Sequence, residues 1–582
     1  MNKAIGILSV IASIVVILCV VTWNMNRRME LQVDSNSSET SLKESEELTE
    51  EGIEEVTEAV SEVVDNSKEL EEDNQPTVAT QPTVTTQPSE SGNIKVFDLI
   101  AEETQTEIAK GVVVPTWTYN GTVPGTEIRV TQGDFVRVNL TNQLEAPITI
   151  HWHGYPVTSD MDGIPGFTQD AILPGQTFTY EFPAEVIGTY WYHSHQESSK
   201  QVDMGLYGAL IVEPKEKQTY DKDYTLILDE WMDNEEDEMS MPMSTNDTVD
   251  SAMAGMGEMN DMDDMDGMED STDPTMDSGA TGNNDLELQE EQMMKELYNI
   301  YTVNGKSGEL IQPLDVLNGD VVKLRFINAG YRTHGIHIPG QIIKVVSTDG
   351  QEIQGAGEFQ DEIIEIAPGE RYDIEFTVDS ANDFYIDFHD SNLYNDQMKI
   401  PVRVIGGSGA AMTEEEDINL PIFDLSNYGT YSEGEFSLIQ SYDVEQYIEL
   451  NTDTKDSTLK YTINGKIYDE LQPITITTDN MVKITYENKS QVDHPMHLHG
   501  HFFQVLSKND EGYTGAPIIK DTLLIKPGEK YVLAFKADNP GNWVYHCHEL
   551  HHAAGGMMQK IVYSDYTSTY VSDPKNDYNS PE

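Results

Sequence analysis

One pattern, repeated three times, constrains this 582-residue chain more than anything else in it. The stretches YNGTVPGTEIRVTQGDFVRVNLTN (119–142), VNGKSGELIQPLDVLNGDVVKLRFIN (303–328) and INGKIYDELQPITITTDNMVKITYEN (463–488) share one layout. Each sets an Asn-Gly turn, a strand, a polar turn and an alternating strand such as Val136-Arg137-Val138-Asn139-Leu140. A second set follows at similar distances: ILPGQTFTYEFPAEVIGTYWYHSH, IAPGERYDIEFTVDSANDFYIDFHD and IKPGEKYVLAFKADNPGNWVYHCH. Pro-Gly turns between alternating, β-branched and aromatic runs predict antiparallel β-sandwiches. Three such copies in one chain predict an all-β body of three tandem sandwiches.

The repeats set the boundaries: a first domain over 94–216, a second over 217–410 and a third over 411–566, with a tail at 567–582. Ahead of them, residues 4–23 form an uncharged apolar run of the length that spans a bilayer as a helix. No small-residue cleavage site follows, which favours a retained anchor over 1–30. Residues 31–93 are acidic and then Pro/Thr-rich, a composition for a disordered, extended stalk. This arrangement predicts a membrane-anchored protein with an extracytoplasmic body. Net charge is −69, concentrated in the stalk and in an insertion, and it excludes nucleic acid as a partner while favouring cations.

That insertion, 233–294 within the second domain, has almost no β pattern. It carries Met253, Met256, Met259, Met262, Met265 and Met268 at every third residue, with mostly Asp, Gly and Glu in the gaps. Thioether sulfur is a soft ligand suited to cuprous copper, so these methionines are candidate auxiliary copper ligands; the bland reading is an acidic spacer.

Ten of the 15 histidines fall in four clusters: His151 and His153; His193 and His195; His494, His497 and His499; and His546, His548 and His552. Residues i and i+2 of a strand share a face, so each H-x-H pair aims two imidazoles at one point. In HCH the middle residue is Cys547, the single cysteine besides Cys19 of the apolar run. Its thiol therefore faces away from His546 and His548, which predicts two metal sites joined by a short covalent path. A His2Cys set with a weak axial Met is a blue-copper pattern, and His494, Cys547, His552 and Met557 supply it. The remaining eight imidazoles exceed what one ion needs and suit a cluster of three between the first and third domains. In the second domain His334, His337 and His389 lack the spacing and read as structural. His501 and His551 neighbour the clusters and read as supporting or surface residues.

HWHG, YHSH, HPMHLHG and HCHELHHAAGGM together resemble the four copper signatures of multicopper oxidases, over residues 94–565. The arrangement is similar to three-cupredoxin-domain bacterial laccases and copper-resistance oxidases. The resemblance implies cupredoxin-like Greek-key domains and four copper ions. Type 1 copper would take His494, Cys547, His552 and axial Met557, and type 2 would take His151 and His497. The type 3 pair would take His153, His193 and His548 on one ion, and His195, His499 and His546 on the other. Asp162, in DMDGIPG, resembles the acid that helps deliver protons to the cluster. Several bacterial members place Glu directly after the last type 1 histidine; Ala553 stands there in this chain.

The activity so implied is oxidation of a reducing substrate, four electrons in all, coupled to reduction of dioxygen to water. Electrons would enter at an exposed His494 and pass through Cys547. The Met/Asp insertion favours cuprous ion as the donor and hence copper tolerance. Phenols or aromatic amines are the alternative, then ferrous or manganous ion. Outside the enzyme class, a blue-copper electron carrier or copper-binding protein would use Cys547 alone. A monomer is expected.

Overall fold

The three Asn-Gly turns close in the same way. Asn120, Asn304 and Asn464 take φ of 63°, 51° and 53°, and Gly121, Gly305 and Gly465 follow at 75°, 66° and 70°. Two successive left-handed residues make the two-residue hairpin turn whose twist matches its strands. Each asparagine then ties its turn to the first strand of its repeat, Oδ1 accepting from the amides of Ile100, Ile227 and Glu449. A second asparagine recurs just as regularly. Asn142, Asn328 and Asn488 are fully buried, and each Nδ2 donates to two carbonyls that pin the following loop.

The computed structural model describes residues 93–216, 219–232, 280–390, 393–407, 420–455, 458–571 and 576–582, all within one unit, Val78–Glu582. The expected anchor, nearly all of the stalk and the methionine run lie outside the described residues. Among the described residues no helix is long and apolar enough to cross a membrane.

The all-β expectation holds, with two sheets for each repeat. The first repeat has a four-stranded sheet (Val112–Tyr119, Ile94–Ala109, Phe135–Asn142, Thr177–Pro183) and a three-stranded one (Ile128–Thr131, Tyr207–Glu213, Gly188–His193). Its core lies between them, where Val138 and Tyr180 of one sheet meet Tyr192 and Leu210 of the other. The second repeat has two six-stranded sheets, and the third a seven-stranded and a five-stranded sheet, with equivalent cores.

The strands are not all antiparallel, and here the expectation needs correction. In each repeat the first strand pairs in parallel with the alternating strand that ends the repeated motif: Ile94–Ala109 with Phe135–Asn142, Lys222–Trp231 with Val321–Asn328, and Val444–Lys455 with Met481–Asn488. The opposite sheet of each repeat holds one parallel pair as well. Between partners the chain crosses to the other sheet and returns, and such crossovers are what parallel neighbours require.

Ionic contacts lock the first sandwich to the second. Buried Asp373 accepts from Thr189 Oγ1 at 2.7 Å and pairs with Lys323 and Arg325 at 3.0 and 3.2 Å. Asp223 bridges Arg325 and Arg129. The insertion ends in a helix, Ala280–Leu297, which the absence of β pattern did not foretell. It packs on strands Val444–Lys455 and Thr458–Ile463 of the third sandwich, with Leu286 against that core. Buried Glu287 accepts from Thr452 Oγ1 and from the amide of Gln491.

Candidate metal centre

The four H-x-H segments meet in pairs. His151 and His193 exchange backbone hydrogen bonds of 2.8 and 3.1 Å, and His497 lies opposite His546 in the adjacent sheet. Within each segment the two rings lie 4.8 to 5.9 Å apart, on one face as the pleat requires. The intervening Trp152, Leu498 and Cys547 turn into the sandwich cores. All eight imidazoles are buried at the junction of the first and third sandwiches. They form three groups with converging nitrogens, two of which share His153: His153, His193 and His548; His195, His499 and His546; and His151, His153 and His497.

Outer partners decide which nitrogen faces inward. Nδ1 of His151, His193, His195, His497 and His546 contacts the carbonyls of Asp162, Ser194, Pro581, Asp521 and Cys547, at 2.7 to 3.0 Å. Nδ1 of His499 contacts Asp162 Oδ2 at 3.0 Å. His153 is reversed: its Nε2 meets Thr522 Oγ1 at 3.1 Å. The inward nitrogens, Nε2 of His151, His193, His195 and His497 and Nδ1 of His153, have no hydrogen-bond partner, nor does either nitrogen of His548. Leaving so many buried polar atoms unpaired would cost on the order of 1–3 kcal/mol each. Converging lone pairs of neutral imidazole are instead the donor set of transition-metal ions.

Across the same strand, Cys547 Sγ lies 3.6 Å from His494 Nδ1 and 3.7 Å from His552 Nδ1. Those separations suit one ion held by bonds of about 2.0 to 2.3 Å. Ser490 Oγ on His494 Nε2 (2.8 Å) and Glu549 Oε2 near His552 Nε2 (3.1 Å) turn both Nδ1 atoms toward the sulfur. Met557 is fully buried in the same core, and its carbonyl accepts from the Cys547 amide. Glu549 also caps the short Leu550–Ala554 helix through the His552 amide, shaping the loop between Cys547 and Met557. His494 is 0% exposed, which corrects the expectation of an exposed electron-entry residue. Glu287 of the Ala280–Leu297 helix holds Gln491 beside the Ser490 that bonds His494, and Tyr461 stacks on His552 at 3.9 Å.

Burial sets the electrostatics. It holds His494 and His195 down to about 3, and burial with neighbouring imidazoles keeps His153, His193, His499, His546, His548 and His552 well below the usual histidine range. All are therefore neutral, ligand-ready rings at neutral pH. Burial, with Glu549 nearby, pushes the Cys547 thiol well up, so a bound cation is needed to draw off its proton.

Three models described as Multicopper oxidase match residues 101–217, 222–403 and 440–566, most of the chain. The chain belongs to the multicopper oxidase family. It is 29% identical over 470 residues to Multicopper oxidase MmcO of Mycobacterium tuberculosis, covering 78% of this chain and 84% of that protein. It is 24% identical over 548 residues to a Copper resistance protein A homolog of Pseudomonas syringae pv. tomato, covering 80% and 92%. The crystal structure of a multi-copper oxidase from Pseudomonas thermotolerans aligns at a TM-score of 0.59 and 25% identity, over 81% of this chain and all of the other. This multicopper oxidase is thus an oxidoreductase with cupredoxin-like sheets and a complement of one type 1, one type 2 and two type 3 copper ions.

Asp162 touches two cluster histidines, through its carbonyl to His151 and its carboxylate to His499. His501 is buried beneath the cluster, between the His499 carbonyl and Tyr563. His551 is bonded to Glu549 and Tyr298. In the second sandwich, buried His334 pairs with Glu230, and neither His337 nor His389 belongs to a metal-competent group among the described residues.

Four supporting residues escaped the sequence reading: Arg371, Asp521, Thr522 and Glu582. None sits in an H-x-H pattern. The tail folds back so that Pro581 meets His195, and the buried Glu582 carboxyl lies 3.5 Å from His195 Nε2 and 3.7 Å from His546 Nδ1. Burial pushes that carboxyl up to about 8.

Proposed function

We propose that this multicopper oxidase is a cuprous oxidase serving copper tolerance. The observation that carries it is the cover over the thiolate site. His494 is fully buried, and the helix at that edge continues from the Met/Asp insertion. A cover of this kind disfavours bulky phenols, whereas soft sulfur donors and carboxylates favour a small cation. The similarity to a copper resistance protein supports the same reading.

The ligand roles assigned follow the donor groups. His494, Cys547, His552 and Met557 serve type 1 copper, and His151 and His497 serve type 2. His153, His193 and His548 serve one type 3 ion, and His195, His499 and His546 the other. When bound, the coppers supply one-electron chemistry and the four-electron reduction of dioxygen to water. Cys547 contributes the covalent link, because His546 and His548 are its chain neighbours and face the cluster. Asp162 holds His499 in the tautomer that frees Nε2, and it is assigned to proton delivery. Residues 4–23 are assigned as the anchor that keeps the body outside the membrane; protease accessibility on intact cells tests this.

The donor is tested by dioxygen uptake with cuprous ion, ferrous ion and a phenol on one preparation, and on a chain lacking residues 239–268. Cuprous oxidation should dominate and fall in the deletion, while phenol turnover is spared or raised. Unchanged cuprous kinetics in the deletion would remove the case for cuprous ion.

A further inference from the structure

The second sandwich supplies no copper ligand, yet one of its turns reaches the cluster. The Pro-Gly turn recurs in all three repeats, and a Cβ added to Gly175 or Gly528 would meet nothing within 4 Å. At Gly369, the equivalent position, it would stand 2.9 Å from His548 Cγ and 3.0 Å from His153 Cε1. Two residues on, the other repeats place exposed Thr177 and half-exposed Lys530, whereas the second places Arg371, which is 0% exposed.

Arg371 grips Asp521 of the third sandwich with both terminal nitrogens, at 2.7 and 2.5 Å. Its Nε donates to the carbonyl of Thr189 in the first sandwich. Asp521 Oδ1 accepts from Thr522 Oγ1 at 2.8 Å and lies 3.4 Å from both His153 Nε2 and His497 Nδ1. Thr522 Oγ1 is 3.1 Å from each of the same two nitrogens. The glycine of HWHG makes room for this pair: a Cβ on Gly154 would stand 2.2 Å from Arg371 Nη2 and 2.4 Å from Asp521 Oδ2. A two-pronged guanidinium fixes the carboxylate plane, and the carboxylate with its threonine fixes which nitrogen of each ring turns inward.

We infer that Arg371 is a positioning residue of the copper cluster: acting through Asp521 and Thr522, it sets the tautomers of His497, assigned to type 2 copper, and of His153, assigned to a type 3 ion, and thereby the loading of both positions. The second sandwich then contributes to the cluster's metal occupancy without giving it a ligand. This rests on the four-copper reading of the family and is independent of the electron donor.

The test compares full-length wild type with Arg371→Lys and with the double variant Arg371→Met/Asp521→Asn, which removes both charges and leaves no buried ion unpaired. Copper per chain, the type 2 electron paramagnetic resonance signal, the blue type 1 absorbance and the melting temperature are read on each. In the double variant the affinity for type 2 copper, read as the signal kept during titration with a chelator, should fall about tenfold or more, the loss expected when a ligand's outer partner is removed. Blue absorbance and melting temperature should stay near wild type. Arg371→Lys, which keeps the charge but not the two-pronged grip, should shift the type 2 signal and leave the blue absorbance unchanged. Unchanged type 2 signals in both variants would overturn the inference. So would a parallel loss of all readouts in Arg371→Lys, which would make Arg371 mere glue between sandwiches. Wild-type copper content, measured alongside, separates failure of this inference from failure of the four-copper reading.

Discussion

Deleting residues 576–582 should open the cluster to small anions with little loss of global stability. Seven of the segment's hydrogen bonds to the first sandwich are these: Tyr578 O, Ser580 N and Ser580 O on Gln196 and Glu197, Asn579 on Ala171 and Asp170, Pro581 on His195, and Glu582 on Ser198. At about 1 kcal/mol net for each bond, they contribute about 7 kcal/mol. Ordering seven residues costs about 1 kcal/mol or more apiece in backbone entropy, so the two sums nearly cancel. The two sums agree to within about 1 kcal/mol, so the docked tail is favoured by no more than about 1.4 kcal/mol, a tenfold change in the open fraction. Azide binding to the copper-loaded protein, followed by stopped-flow absorbance, should be about tenfold faster in the deletion, with the melting temperature within a few degrees of wild type. An unchanged azide rate would refute the reasoning, because the tail would not be the barrier. A collapse in melting temperature would refute the near-cancellation instead.

Cys547→Ser removes the only thiol among the described residues; it should abolish the blue absorbance, leave one copper fewer per chain and reduce dioxygen uptake to background. Retained blue colour would exclude Cys547 as the sulfur donor. Asp162→Asn leaves His499 without its carboxylate partner and should lower turnover by about 10- to 100-fold while the blue absorbance is kept; equal turnover by oxygen electrode would count against the assignment. Burial alone would raise Asp373, but Lys323 and then Arg325 outweigh it and hold the carboxyl below the usual range. A depressed folded value gives stability that is present at neutral pH and lost as pH falls through about 4 and below. Urea midpoints should therefore drop in acid, and Asp373→Asn should flatten that slope; an equally steep slope in the variant would place the acid sensitivity elsewhere.

The repeat was legible because its punctuation is local: Asn-Gly demands two left-handed residues, and three such turns in matching contexts define three sandwiches. The histidines were legible for the same reason, since an i, i+2 pair fixes a face whatever surrounds it. Pairing direction was not. Alternation gives the faces of a strand but not its neighbour, so the parallel pairs between Ile94–Ala109 and Phe135–Asn142 and their counterparts escaped. His494 is buried at an edge where Gln491 is held by Glu287, about 200 positions upstream, and no pattern near His494 announces it. Arg371 follows a turn and Asp521 precedes a strand, and nothing in the pattern around either marks it out. Only docking of the second sandwich against the other two gives them partners.

Thr522 sits 369 positions beyond the His153 it touches, and the cluster's imidazoles come half from each end of the folded body. Contacts of such sequence separation are expensive in chain entropy and form late. The thiolate site is different: His494, Cys547, His552 and Met557 all belong to the third sandwich and can come together when that sandwich folds. A newly made chain therefore acquires its two kinds of copper position at different moments. Blue colour would report a finished third sandwich, and a full metal count would report a finished molecule.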